Sequence, residues 1–173
     1  EISAGAGIGT NGGSFAVTVK ENNYLGEGKQ LGFDLEIDKE SLAGTFSFND
    51  PNYDFLGNSI FYSVRSEKND VPTRGFENSI ISATVETGFE QYKDINLNLG
   101  LSATYDDLTT LDSASDSLKK QSGEFSDLSA VYAFVFDKRD RKFMPTDGSV
   151  VTFRQSLPVY ASKPIIDNTF SAS

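Results

Sequence analysis

Apolar and polar residues alternate along almost the whole of this 173-residue chain. The clearest run is INLNLGLSAT at 95–104, in which nearly every second residue is aliphatic. Side chains of a β-strand point alternately to opposite faces, so a period of two predicts strands, and no segment shows a helical stripe. We therefore predict an all-β, antiparallel fold of about nine strands. The predicted strands are 2–9, 13–22, 28–38, 42–49, 58–66, 76–88, 93–105, 125–137 and 148–157.

Composition excludes several classes of function. The chain has no Cys and no His, which removes disulfides, thiolate metal sites and the commonest general base. Its formal net charge of −10 disfavours nucleic-acid binding, because phosphate contacts need a basic face. No run reaches the roughly 18 apolar residues of a transmembrane helix. We expect no enzyme activity, no cofactor, no metal and no nucleic-acid partner.

Alternation alone fits two architectures. In a transmembrane β-barrel the apolar face contacts lipid, whereas in a soluble β-sandwich it packs into a core. Several predicted strands reach or exceed the roughly 9–11 residues that a tilted strand needs to cross a bilayer. Strands of soluble domains are usually nearer 5–6 residues. Strand length therefore favours the barrel, with the sandwich as the alternative.

The connections between predicted strands form two sets that alternate strictly along the chain. The first set is polar and poor in aromatic residues, and it comprises 9–12, 38–41, 67–74 and 106–124. The second set carries aromatic residues, namely Tyr24, Tyr53, Phe55, Phe89, Tyr92 and Phe143. Strict alternation places each set at one end of the strands. Aromatic residues gathered at one end resemble an interfacial girdle of a membrane barrel.

An odd number of strands creates a difficulty for a closed barrel. Nine strands leave open edges, and an open edge within lipid leaves backbone groups unpaired. The chain also stops at 170–173, where a tenth strand could begin. We therefore expect residues 1–173 to form one partial β-barrel domain of a longer protein.

Three short patterns have ordinary structural interpretations. Gly5, Gly7 and Gly9 mimic part of a dinucleotide fingerprint, but no helix follows, and a weakly held Gly-rich strand is the better interpretation. The carboxylates of Asp34, Glu36 and Asp38 share a strand face, which suits a solvated lumen better than a cation site. The segment 74–76 (RGF) is interpreted as a polar loop end followed by an aromatic residue at a strand start.

The segment 137–148, DKRDRKFMPTDG, joins two predicted strands and contains more charged residues than a simple chain reversal needs. Its charges can form a salt-bridged turn, shaped by a proline and a glycine. No nucleophile and base are evident, so we interpret the segment as structural. The residues of this predicted turn motif are Asp137, Arg139, Asp140, Arg141, Phe143, Pro145, Thr146 and Gly148.

Together these features resemble the barrel domain of the BamA-type family of outer-membrane protein assembly factors. The wider bacterial surface antigen superfamily includes translocation-assembly proteins, two-partner secretion transporters and organelle import pores. The resemblance covers most of the chain in order. It rests on the segments 4–9, 21–28, 48–52, 88–92 and 137–148, of which the pattern Asp140-Arg141 with 145–148 (PTDG) is the most specific.

The resemblance implies a barrel of sixteen strands that follows periplasmic POTRA domains, with this chain supplying the first nine strands. The POTRA domains and the C-terminal strands are then absent from the chain. The aromatic turns lie on the periplasmic side and the acidic loops lie outside. The implied function is assembly and insertion of β-barrel proteins in the bacterial outer membrane. The implied partners are nascent outer-membrane proteins, the lipid bilayer with lipopolysaccharide, and lipoproteins of an assembly complex.

The resemblance also points to the first strand as a lateral gate that pairs weakly with the last. A substrate strand could add to this edge by β-augmentation through backbone groups. The residues of this pairing edge are Ile2, Ser3, Ala4, Gly5, Ala6, Gly7, Ile8 and Gly9. The alternatives are a related secretion transporter or porin of the same superfamily, and a soluble β-sandwich binding protein.

Overall fold

The structure is a computed structural model that describes residues 2–9, 12–141, 144–162 and 166–172. It contains one antiparallel sheet in which ten strands follow each other in chain order. The strands are β1 (Ile2–Gly9), β2 (Gly12–Tyr24), β3 (Lys29–Ile37), β4 (Ser41–Asp50), β5 (Ser59–Val71), β6 (Phe76–Tyr92), β7 (Ile95–Thr110), β8 (Gly123–Asp137), β9 (Val150–Ala161) and β10 (Asp167–Ala172). A short helix, α1 (Asp116–Lys119), lies between β7 and β8. No helix in the described ranges is long and apolar enough to cross a bilayer.

The all-β prediction is confirmed, and the count of nine strands is corrected to ten. Strand β10 pairs with β9, with Phe170 opposite Phe153. Four strands also continue at least four residues past their predicted ends, β5 to Val71, β6 to Tyr92, β7 to Thr110 and β9 to Ala161. Phe89 and Tyr92, assigned from the sequence to a connection, thus lie within β6. The extensions of β5 and β7 share one cause. Their last residues, 67–71 and 106–110, carry polar side chains on both faces, so the alternation fades although the backbone ladder continues.

The register of the sheet collects the apolar side chains on one side. A single row of directly paired residues crosses nine strands on this side, and it comprises Ile2, Val19, Phe33, Phe46, Val64, Ala83, Ala103, Leu128 and Tyr160. We call this side the apolar face and the opposite side the polar face. A one-residue slip would exchange the two faces, so the pattern strongly specifies the register.

The apolar face is the more exposed of the two. Leu99 and Leu101 on this face are 42% and 49% exposed, whereas Ser102 on the polar face is half-buried. The buried hydrophobic residues of the described chain are Ala43, Ala114, Val131 and Ala133, none of them large. The sheet is therefore concave toward its polar face and has no second layer packed on its apolar face. A β-sandwich would bury the apolar face. The exposure of this face therefore indicates the wall of a barrel, which strand length also favoured.

Candidate functional site

Strand β1 forms one border of the sheet. It pairs with β2 from Ile2 opposite Val19 to Gly9 opposite Gly12, and the described residues place no strand on its other side. It has 8 residues, whereas β2 has 13. Ile2 and Ile8 are 77% and 95% exposed. A short strand with one paired side and exposed side chains is held mainly by its backbone hydrogen bonds to β2.

All eight residues of the predicted pairing edge lie in this strand. Ile2, Ala4, Ala6 and Ile8 lie on the apolar face, and Ser3, Gly5, Gly7 and Gly9 lie on the polar face. A methyl group built on Gly5 would meet no atom within 4 Å. Glycine loses more conformational freedom on ordering than other residues and offers no side chain for packing. Local packing therefore contributes little to the attachment of β1.

The turn between β8 and β9 is organised by one carboxylate. Asp140 accepts hydrogen bonds from the Thr146 backbone N–H (3.0 Å), the Thr146 hydroxyl (2.8 Å) and the Asp147 backbone N–H (3.2 Å). The hydroxyl and backbone donors of Thr146 lower the pKa of the Asp140 carboxyl below its ordinary value. The ionised carboxylate thus ties the two sides of the turn together.

The remaining residues of the turn motif also have structural contacts. Arg139 donates to both oxygens of Asp137, at 2.8 Å and 2.6 Å, and the Arg141 side chain lies 3.7 Å from Asp140. Gly148 has φ +97°, and a methyl group there would lie 2.2 Å from the carbonyl oxygen of Lys138. Pro145 is exposed, and Phe143 lies outside the described residues.

The pH dependence of the turn follows from Asp140. Because its folded-state pKa is lowered, its hydrogen bonds stabilise the turn at neutral pH, and this contribution is lost as the pH falls through the lowered value. In the full-length protein we expect Asp140→Asn to reduce stability at neutral pH and to flatten its decline in acid. Denaturant unfolding at a series of pH values measures both effects. Thr146→Val removes one donor and should act in the same direction but less. Equal pH profiles for wild type and Asp140→Asn would contradict this role.

An ion pair across the polar face was not predicted from the sequence. Arg154 on β9 donates through both terminal nitrogens to the carboxylate of Glu86 on β6, one of these bonds at 3.0 Å. Strands β7 and β8 lie between them. A methyl group on Gly100 of β7 would lie 2.4 Å from the Val85 carbonyl oxygen and 2.5 Å from Glu86 Cγ, so this glycine leaves space for the backbone and the Glu86 side chain of β6. The two residues are 68 positions apart, and no local pattern signals their contact.

The three carboxylates that share a predicted strand face do not act together. Asp34 accepts a hydrogen bond from the Thr18 hydroxyl at 2.7 Å. Asp38 lies in the turn after β3, where it accepts from the backbone and the hydroxyl of Ser41, and these bonds lower the pKa of its carboxyl. Within the described ranges, no group of three or more acidic side chains is arranged to hold a metal ion.

The segment 74–76 lies where two connections meet. Phe76 begins β6, as the sequence indicated, and the buried Gly75 has φ +74°. The Leu111 backbone N–H donates to the Gly75 carbonyl at 2.8 Å. A methyl group on Gly75 would lie 2.7 Å from the backbone nitrogen of Ala114. The connection after β7 therefore packs on this glycine, a contact that the sequence pattern did not signal.

Comparison with known proteins identifies a family and similar solved structures. The profile of the Omp85 superfamily domain matches residues 23–165. The crystal structure of BamA from Haemophilus ducreyi lacking POTRA domains 1–3 is similar, with a TM-score of 0.65 and 21% sequence identity. The match covers 92% of this chain and 34% of that chain, so the present chain spans about a third of its relative. The ten-stranded sheet thus has the fold of part of a BamA-type barrel, with its apolar face toward lipid and its polar face toward the lumen. The chain belongs to the Omp85 superfamily of the bacterial outer membrane.

Proposed function

We propose that the protein containing this chain inserts β-barrel proteins into the outer membrane, and that β1 is the edge to which a substrate strand is added. The observation that carries the proposal is the state of β1. Strands β1 and β10 border the described sheet, and β1 differs from β10 in being Gly-rich, whereas β10 contains no glycine. Family membership supports a role in outer-membrane protein insertion or transport.

The physical basis is the cost of an unpaired edge in lipid. Backbone N–H and C=O groups that face hydrocarbon without partners cost several kcal/mol each, as an order of magnitude. The free side of β1 therefore needs a strand, and the closing strand of the barrel and a substrate strand offer it the same backbone groups. Exchange between them conserves the number of hydrogen bonds, so weak side-chain attachment of β1 makes the exchange easier.

The proposal extends to the whole protein and its partners. Residues 1–173 form part of the barrel domain, and POTRA domains and further strands belong to the rest of the protein. Nascent outer-membrane proteins are the substrates, the apolar face contacts the bilayer with its lipopolysaccharide, and assembly lipoproteins bind outside this chain. Pairing of strands is non-covalent, so neither a catalytic residue nor a cofactor is required.

Cysteine crosslinking in the full-length protein tests the role of β1. Ser3 and Ala6 are replaced singly by cysteine, and a stalled substrate carries a cysteine in its terminal strand. We expect disulfide-linked products at both positions, because an added strand would lie beside both residues. Ser3 tests the polar face of β1 and Ala6 tests the apolar face. Their partners on β2, Thr18 and Phe15, are the matched controls and should give none, because β2 is paired on both sides.

A related secretion transporter or porin is the second candidate, because hydroxyl and amide side chains of the polar face suit a water-filled pathway. Thr84, Ser102, Asn96 and Asn98 are examples on β6 and β7. A steady conductance of the full-length protein, without crosslinks at Ser3 or Ala6, would favour this candidate and reject the assembly role of β1.

A further inference from the structure

Glycines inside three strands of the polar face share one feature. The residue directly paired with each of them extends a polar side chain across it, into the space that a methyl group would occupy. The pairs are Gly32 with Ser47, Gly88 with Asn98, and Gly100 with Glu86, and the would-be methyl lies 2.5 Å, 2.4 Å and 2.5 Å from the covering side chain. At Gly100 the backbone carbonyl oxygen of Val85 lies equally close, at 2.4 Å. At each of these three glycines a neighbouring strand therefore places a polar side chain over the glycine.

In β1 the structure describes the surroundings of two polar-face glycines, of which one follows this pattern and one does not. Gly7 is paired with Ser14, whose hydroxyl oxygen would lie 3.1 Å from a methyl group. Gly5 is paired with Ala16, whose side chain is too short to cross it, and no atom lies within 4 Å. The space over Gly5 is thus open to a strand that adds on the free side of β1.

We propose that the substrate strand covers Gly5 with a polar side chain of the size of Ser, Asn or Glu, at the position directly opposite Gly5. This inference rests on the proposed function and specifies the chemistry of the substrate at that edge. The two flanking substrate residues then face lipid beside Ala4 and Ala6, so they are apolar. The preferred segment reads apolar–polar–apolar, with its centre at Gly5.

Gly5 determines this specificity because it has no side chain. A side chain at this position would fill the space that the incoming polar group requires, as a methyl group on Gly32 would enter the space of the Ser47 hydroxyl, 2.5 Å away. Inside the chain itself the position is tolerant, because a methyl group there meets nothing and Gly5 has no left-handed backbone angle. An effect of substitution on pairing therefore arises from the added strand rather than from β2.

A double-mutant cycle in the full-length protein tests the inference. The reporter is the disulfide between Cys at Ser3 and the substrate strand, and the crosslinked substrate position fixes which residue lies opposite Gly5. Substrates carry either Asn or Gly at that residue. We expect Gly5→Leu to lower the crosslink yield about two- to fivefold for the Asn substrate and to have less effect on the Gly substrate, in line with the energies of cross-strand pairs. Gly44→Leu on the apolar face of β4, where a methyl also meets nothing, should leave both yields unchanged.

The other outcomes distinguish failure of this inference from failure of the proposed function. Equal loss of yield for the Asn and Gly substrates, or no loss for either, would overturn the covering of Gly5 by a substrate side chain. Failure of Ser3 to crosslink to any substrate in the wild-type protein would instead reject the proposed function of β1. Heat-modifiable migration of each variant confirms that the barrel is folded, so that a low yield is not a folding defect.

Discussion

Replacement of Gly148 by alanine is expected to lower the stability of the barrel more than any other alanine substitution in the turns. Gly148 has φ +97°, a left-handed conformation that costs an L-residue roughly 1–2 kcal/mol. The new methyl group would also lie 2.2 Å from the Lys138 carbonyl oxygen and 2.7 Å from Arg139 Cα. These are backbone atoms that cannot rotate away, so the turn must open, and its hydrogen bonds between Asp140 and Thr146 are strained.

The matched control is Gly26→Ala in the turn between β2 and β3. Gly26 also has a positive φ of +76°, but a methyl group there meets nothing within 4 Å. Denaturant unfolding of the full-length barrel should show a loss of roughly 1–2 kcal/mol for Gly26→Ala, from backbone strain alone, and a larger loss for Gly148→Ala. Similar losses for the two variants would mean that the contact with Lys138 does not restrict the turn.

The alternation of apolar and polar residues predicted the strands because it depends only on residues that are close in sequence. Each strand whose two faces differ in polarity was found, and the antiparallel arrangement agrees with the connections, which join successive strands at alternate ends. The same reasoning placed the eight residues of β1 in one strand. It also identified the turn at 137–148, since Asp140, Thr146 and Gly148 are close in sequence and their contacts form within the turn itself.

Features without a local polarity signal were missed. Strand β10 has the sequence DNTFSA, in which Phe170 is the only large apolar residue, so its pairing with β9 leaves little trace in the pattern. The ends of β5 and β7 near the polar connections lack an apolar face for the same reason. In the run at 95–104, Gly100 is only one of the residues that alternate with the aliphatic ones. Its importance depends on Glu86 and Arg154, which the curvature of the sheet brings together.

The ion pair between Arg154 and Glu86 is expected to be asymmetric in its response to mutation. The Glu86 side chain is 14% exposed and that of Arg154 is 42% exposed. Arg154→Met keeps the aliphatic stem but leaves a poorly hydrated carboxylate without its partner, which costs roughly 1–3 kcal/mol. Glu86→Gln keeps the shape and one acceptor, and the remaining guanidinium can reach lumenal water. We therefore expect a smaller loss for Glu86→Gln, measured by denaturant unfolding of the full-length protein.

The double variant tests whether the two residues act as a pair. Strands β6 and β9 are three strand intervals apart, about 14 Å along a flat sheet, so the contact depends on the curvature of the wall. Because the two side chains are in contact, their losses are not additive, and the coupling energy is about 0.5–3 kcal/mol. If the pair also holds the curvature, its coupling exceeds that of an ion pair within one strand. The pair between Arg65 and Glu67, which are neighbours on one face of β5, is the control, because it cannot restrain curvature. Additive losses at Glu86 and Arg154 would show that the ion pair does not brace the wall.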